Sequence, residues 1–254
     1  MRLAGHHALI TGGGTGIGAA IARALAAEGA RLTLVGRRRE KLEEVGCGDF
    51  DALVAPADVT DREQVFDAFG TAREAQGPIT ILVNNAGGTA SAPFAKVTPE
   101  QWRETMAVNL DALLHCCQAA LPDLLQAEAG RIVTIASSAG LRGYAYCAPY
   151  VAAKHGALGL TRALAEELNG TKVTVNAICP GFTDTDIVAA AAARIGASTG
   201  RSDAEARDAL AKLNAGGRLL APGEVAAAVL RLCLPESGSI SGQAIELTGE
   251  EEGD

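Results

Sequence analysis

Residues 7–29 read HALITGGGTGIGAAIARALAAEG: five residues of strand character, a glycine-rich turn, then a small-residue amphipathic run. Strand, glycine turn and helix in that order make a phosphate-binding unit. Gly12, Gly16 and Gly18 carry the spacing, with Gly14, Thr15 and Ile17 between them. Glycine lets the backbone turn sharply and approach a pyrophosphate, which the unpaired N–H groups and the dipole of a helix N-terminus attract. A purely structural turn would look the same in isolation, so the rest of the chain has to decide.

Downstream, strand-like and helix-like stretches alternate. RLTLV (31–35), DALVA (51–55), TILV (80–83), RIVTIA (131–136), VTVNAIC (173–179) and QAIEL (243–247) follow the first strand at 7–11. DREQVFDAFGTAREAQG (61–77) predicts a helix with Asp61 near its N-cap and Phe66 and Phe69 on its buried side. WRETMAVNLDALLHCCQAAL (102–121) predicts another, and PGEVAAAVLRLCL (222–234) a helix with Pro222 at its start. The alternation predicts an α/β fold, a single doubly wound parallel sheet of Rossmann type with about seven strands and helices on both faces. At 254 residues the chain fits one domain spanning 1–254.

Composition excludes several functions. The formal charge is −8, and Glu250, Glu251, Glu252 and Asp254 supply half of it, which leaves a mildly acidic body. There is no basic stripe for nucleic acid and no polybasic patch for a membrane surface. Every apolar segment is interrupted well short of the ~18 residues of a membrane span. The N-terminus MRLAGHHALITGG enters a strand almost at once and lacks a signal-peptide pattern, so a cytoplasmic location is expected. The six cysteines show neither CxxC nor Cys/His ligand spacing, and read as reduced thiols with no metal site. Cys147 reads as a pocket-wall residue, His115 and His155 as structural, and the acidic tail as a disordered end with no assigned role.

Two further stretches bear on a dinucleotide. The second strand ends in Gly36-Arg37-Arg38-Arg39, with no acid before Glu40 to hold free ribose hydroxyls. Arg37 and Arg38 offer cationic forks for a 2′-phosphate, which favours NADP(H), with NAD(H) as the alternative. Asp58 and Val59, just past the third strand, fall where an adenine ring would lie.

The chemistry points to SSAGLRGYAYCAPYVAAK (137–154). Tyr150 and Lys154, at i and i+4, share one face of the helix that follows the fifth strand. A phenol with a pKa of about 10 would need it lowered by roughly 3 to act as a base near neutrality, about 4 kcal/mol in favour of phenolate. A neighbouring ammonium is the direct way to lower it. Ser137 can hydrogen-bond the same substrate oxygen that Tyr150 protonates or deprotonates, so proton transfer at an oxygen is the inferred chemistry.

Thr11-Gly12-x-x-x-Gly16-x-Gly18, Asn84-Asn85-Ala86-Gly87, Asn109, Ser137, Tyr150-x-x-x-Lys154 and Pro180-Gly181 occur together and in order. In these motifs the chain resembles the short-chain dehydrogenase/reductase family over nearly its whole length. The resemblance implies that Tyr150 is the general acid/base, and that Lys154 lowers its pKa and binds the nicotinamide ribose. Ser137 would orient the substrate oxygen; it is preferred to Ser138 because the family's serine lies thirteen residues before the tyrosine. Asn109 would hold a water that relays protons to Lys154. For the cofactor, the glycine turn would cradle the pyrophosphate and Asp58 and Val59 would bracket the adenine. Asn85, with Ala86 and Gly87, would stabilise the sheet and approach the adenosine ribose. Past Pro180 and Gly181, the Thr183 backbone and the Thr185 hydroxyl would fix the carboxamide.

The Ala-rich segment from about 184 to 217, with helices near 187–196 and 203–213, is by the same resemblance a lid over the substrate. The order of lid and helix resembles 3-oxoacyl thioester reductases and 3-hydroxyacyl-CoA dehydrogenases. Where carrier-protein-dependent reductases place basic docking residues this chain has Glu128 and Thr171, with Lys172 nearby, which favours a CoA thioester or a free ketone. Arg142, Arg201 and Arg207 are candidates for a CoA phosphate, each with a solvated surface arginine as the alternative. The expected activity is hydride transfer between ketone and secondary alcohol. The alternatives are an NAD-dependent dehydrogenase of a free cyclic or aromatic alcohol and a non-catalytic dinucleotide-binding subunit. A homotetramer or homodimer is expected from the way family members pair.

Overall fold

The computed structural model describes residues 1–47, 50–89 and 91–250. In chain order the elements are β1 (His7–Thr11), α1 (Gly16–Ala27), β2 (Arg31–Gly36), α2 (Arg39–Gly46), β3 (Ala52–Pro56), α3 (Arg62–Gln76), β4 (Ile81–Asn84), α4 (Pro99–Met106) and α5 (Ala112–Gln126). Then come β5 (Gly130–Ile135), α6 (Ala148–Glu167), β6 (Val173–Pro180), α7 (Asp186–Thr199), α8 (Asp203–Ala211), α9 (Pro222–Cys233) and β7 (Ala244–Leu247).

The seven strands form one parallel sheet in the order β3-β2-β1-β4-β5-β6-β7. The winding reverses between β1 and β4, and at such a switch point a crevice opens at the carboxyl ends of the strands. Alternate residues of each strand go to opposite faces. Ile10, Leu34, Val83, Val133 and Ile178 pack with Ile21 and Leu25 of α1 and Val225 and Val229 of α9. Leu9, Leu82, Ile132 and Val175 pack with Val65 and Phe69 of α3, Cys116 and Leu124 of α5, and Ala165 of α6. Burial on both faces is what turns these strands into continuous apolar runs.

Local signals set the helix starts. Asp61 accepts hydrogen bonds from the Glu63 and Gln64 amides at 3.0 and 3.2 Å and caps α3. Thr98 with Gln101 and Ser202 with Glu205 form capping boxes at α4 and α8. Two expectations are corrected. Phe66 is not on the buried side of α3: it is 38% exposed and lies under the Arg62 guanidinium, 4.3 Å from its ring centroid, while Phe69 is buried. The core stripe of α3 runs through Val65, Ala68, Phe69 and Ala72, which leaves Phe66 at its edge. The stretch 102–121 is not one regular helix. It begins earlier, at Pro99, and a π-helical turn at Ala107–Asp111 separates α4 from α5.

Candidate active site

The site is built from the carboxyl ends of the central strands. After β1 the chain turns through Gly12 and Gly16, both with positive φ (65° and 52°), into the N-terminus of α1. Thr15 precedes that helix without a capping side-chain hydrogen bond, so the first N–H groups stay available to an anion. A Cβ on Gly18 would collide with the Gly12 carbonyl oxygen, and one on Gly14 would stand 3.0 Å from the Lys41 backbone, so bare backbone is required there. From the other end of the chain Thr185 closes over the turn: its Cγ2 lies 3.1 Å from where a Gly16 Cβ would be. These features fit a pyrophosphate cradle between α1 and the segment after β6.

Asn85 fastens this cradle to the neighbouring strand. Its Nδ2 donates to the carbonyl oxygens of Thr11 and Gly12 at 3.0 and 3.1 Å, while the Thr11 hydroxyl accepts the Asn85 and Ala86 amides at 3.0 Å each. Asp58 accepts from the Thr60 amide and hydroxyl, and the buried Val59 offers its carbonyl oxygen to Nδ1 of His115 at 3.2 Å. His115 therefore holds a cofactor-side loop, in keeping with a structural reading. Arg37 and Arg38 are exposed and enter no ion pair among the described residues, whereas Arg39 pairs with Glu43.

Ser137 caps a short turn at Ser138–Gly140, accepting the Ala139 amide at 3.1 Å. Ser137 is partly exposed while Ser138 is 3% exposed, which favours Ser137 as the hydroxyl a substrate can reach. On α6, Lys154 Nζ lies 5.6 Å from the Tyr150 ring centroid and donates to the Ile135 carbonyl oxygen at 2.9 Å. Asn109 sits inside the π-helical turn, 1% exposed, donating to the carbonyl oxygens of Gly88 and Thr105 at 2.8 and 2.9 Å. Asn109 and Lys154 converge on one point: a Cβ on Gly87 would be 2.9 Å from Asn109 Oδ1 and 3.7 Å from Lys154 Nζ.

The expected lowering of the Tyr150 pKa is corrected. Burial pushes the phenol up to about 12, against the opposing effect of a hydrogen bond with Ser137, and pushes Lys154 down to about 8. Removing each group from water favours its neutral form. Cys147 is partly buried and its thiol is pushed up by that burial.

Past β6, Thr183 Oγ1 donates to the Gly181 carbonyl oxygen at 3.1 Å and Thr185 Oγ1 to that of Thr183 at 3.2 Å. Asn214, which sequence reasoning missed, clamps this strip: it accepts the Phe182 amide at 2.8 Å and donates to the Phe182 and Arg218 carbonyl oxygens at 2.9 and 2.6 Å. A Cβ on Gly181 would collide with its side chain. Nothing in an Asn-Ala-Gly-Gly stretch distinguishes such a clamp from a surface turn. Two of the arginines considered for a CoA phosphate are engaged within the chain: Arg207 with Asp184 at 2.5 Å, and Arg142 with Glu246 at 3.3 Å.

This parallel sheet, with a glycine-lined crevice and a Ser-Tyr-Lys set on its rim, defines an oxidoreductase of the Rossmann type. The short chain dehydrogenase model matches residues 6–196, and the chain belongs to that family. It is 36% identical over 248 residues to a granaticin polyketide synthase putative ketoacyl reductase from Streptomyces violaceoruber, covering 95% of this chain and 91% of that one. To an acetoacetyl-CoA reductase from Shinella zoogloeoides it is 35% identical, covering 95% and 96%. A crystal structure of an actinorhodin polyketide ketoreductase variant with NADPH superposes with a TM-score of 0.91 at 34% identity, covering 96% of each chain.

Proposed function

We propose that the protein reduces a 3-oxoacyl thioester to the 3-hydroxyacyl thioester with NADP(H), and that the thioester is carried on CoA. The observation that carries this reading is the convergence of Ser137, Tyr150 and Lys154 on the end of β5, beside a glycine turn open to a pyrophosphate. The likeness to an acetoacetyl-CoA reductase and to a ketoreductase crystallised with NADPH supports it.

Bound NADP(H) supplies or accepts the hydride. Ser137 and Tyr150 hold the substrate oxygen, and Tyr150 donates its proton to that oxygen as the alcohol forms. The phenol, pushed up by burial, is protonated at neutral pH and can act as the acid of the reduction. Lys154 balances the charge left on Tyr150 and holds the nicotinamide ribose, while Asn109, anchored in its π-helical turn, supports a proton path to Lys154. Arg37 and Arg38 take the 2′-phosphate. Gly12, Gly14, Thr15, Gly16, Ile17 and Gly18 hold the pyrophosphate, Asp58 and Val59 the adenine, Asn85, Ala86 and Gly87 the adenosine ribose side. The Pro180–Thr185 strip holds the carboxamide, and 184–217 covers the substrate.

An acidic carrier protein finds little to grip, since Lys172 is already paired with Glu128 at 2.5 Å. The apolar Trp102 on α4 and Leu114 and Leu125 on α5, all exposed in the single chain, support a homodimer or homotetramer. The free cysteines accord with a reducing, cytoplasmic setting. No helix among the described residues is long and apolar enough to cross a membrane.

The test is the initial rate of NADPH oxidation with a short 3-oxoacyl-CoA, beside NADH and a Tyr150→Phe control. A rate that needs both NADPH and Tyr150 supports the assignment. Tight NADPH binding with no turnover of any 3-oxoacyl thioester overturns it.

A further inference from the structure

One chain of contacts behind the serine turn runs through Ser138 and Tyr144, to which no role has been given so far. Ser138, buried directly behind Ser137, has its Oγ 2.9 Å from the Tyr144 phenol oxygen. Arg142 Nε donates to that same phenol oxygen at 3.0 Å, so the phenol joins the serine and the arginine, with either hydroxyl able to donate in the Ser138–Tyr144 bond. Arg142 is itself held by Glu246 of β7 at 3.3 Å, and Glu246 is in register with Cys179 at the end of β6. On its other side the Tyr144 ring meets Phe182 edge-on, with centroids 5.8 Å apart and planes at 82°. The backbone of Phe182 is the group that Asn214 clamps, at the root of the segment leading into α7.

We propose that Tyr144, steadied by Arg142, is a positioning residue that couples the root of the 184–217 segment to the orientation of Ser137. This rests on the reading of the site given above. A single phenol touches the serine turn, the arginine anchored to the last strand, and the ring at the base of the lid. A shift of Phe182 when substrate is covered is carried by the Tyr144 ring to Ser138, one peptide from Ser137. Closing over the substrate and aligning the hydroxyl that meets its oxygen thereby become one event.

The experiment is a mutant cycle in the full-length protein. Tyr144→Phe keeps the ring against Phe182 and removes only the hydroxyl, while Ser138→Ala removes its partner. Each single variant is expected to lower kcat about tenfold with NADPH affinity unchanged and thioester KM within about twofold. The double variant is expected to be no worse than Tyr144→Phe alone, because that change already deletes the bond that Ser138→Ala removes. Arg142→Lys keeps the charge beside Glu246 but loses the Nε–H, and should give a smaller fall in kcat. Additive losses in the double variant, or a Tyr144→Phe enzyme with parental kcat, would overturn the proposal.

A second readout needs no turnover. Hydrogen exchange at the Ala139, Gly140 and Leu141 amides should quicken in Tyr144→Phe while α6 keeps its protection; unchanged exchange at those three amides also overturns the coupling. The parent's Tyr150-dependent rate decides the functional reading separately. An inactive parent with quickened exchange would sink that reading and leave the coupling standing.

Discussion

Asn85 reaches back across the sheet to Thr11, its Nδ2 3.0 Å from the Thr11 carbonyl oxygen while the Thr11 hydroxyl accepts its backbone N–H at the same distance. The glycine turn is therefore held from the end of β4 as well as from β1. Asn85→Ala leaves two carbonyl oxygens, those of Thr11 and Gly12, short of a donor. A loss of about 1–3 kcal/mol is expected in denaturant unfolding. NADPH binding should weaken as well, because the cradle loses its second support, and titration of NADPH fluorescence measures that directly.

Gly87 lies between Asn109 and Lys154, the two groups of the proposed proton path. A methyl group there would stand 2.9 Å from Asn109 Oδ1 and 3.7 Å from Lys154 Nζ. Gly87→Ala should lower kcat on the order of 10²-fold, as sub-ångström misplacement of reacting groups does. The melting temperature should stay within a few degrees of the parent's. A variant of parental kcat would show that Asn109 and Lys154 need not keep this spacing.

The pH profile follows from Lys154. Burial lowers its pKa from 10.5 to about 8, so the cation is complete below that value and is lost as pH rises through it. kcat/KM for reduction should therefore be level toward neutrality and fall on the alkaline side with an apparent pKa of about 8. Tyr150, pushed up to about 12, contributes no fall in that window. A profile that stays flat to pH 10, well beyond the ~8 predicted, would separate Lys154 from the rate-determining chemistry.

Cofactor choice is assigned to two exposed guanidinium groups with no ion pair among the described residues. Arg37→Ala should weaken NADP(H) binding by roughly 10- to 100-fold, the loss of one charge-assisted contact of about 1.5–3 kcal/mol, and leave NAD(H) binding within about twofold. Calorimetric titration of both cofactors into the parent and the variant is decisive. Equal losses for both would point to damage in the glycine turn rather than to lost recognition of the phosphate.

How much the sequence told depended on how local each feature is. The seven strands could be read because each apolar run is bounded by its own turn residues; β1 kept its expected bounds and every other strand moved by a residue at one end or both. The Phe66 side of α3 could not, because residues three apart share a face only if the core stripe is wide enough to include both. The π-helical turn around Asn109 leaves no mark on composition, since an extra residue within a helix changes the hydrogen-bond pattern and not the residue types. The spacing of Tyr150 and Lys154 was legible, yet the direction of the Tyr150 shift was set by burial, which only the packing of β5, β6 and α6 reveals. The Asn214–Phe182 and Arg142–Glu246 contacts join residues far apart in the chain, and no local pattern announces them.

The approach of Thr185 to Gly16 has a consequence for how the protein comes into being. The first wall of the cradle leaves the ribosome early and the second only after β6 has been made. A nascent chain that has exposed β1 to β5 owns a glycine turn with nothing opposite it, so the dinucleotide has no closed seat and cannot shepherd early folding. Its stabilising effect begins only when synthesis is well advanced, and a truncated product ending before Thr185 is one that added cofactor should fail to rescue from degradation.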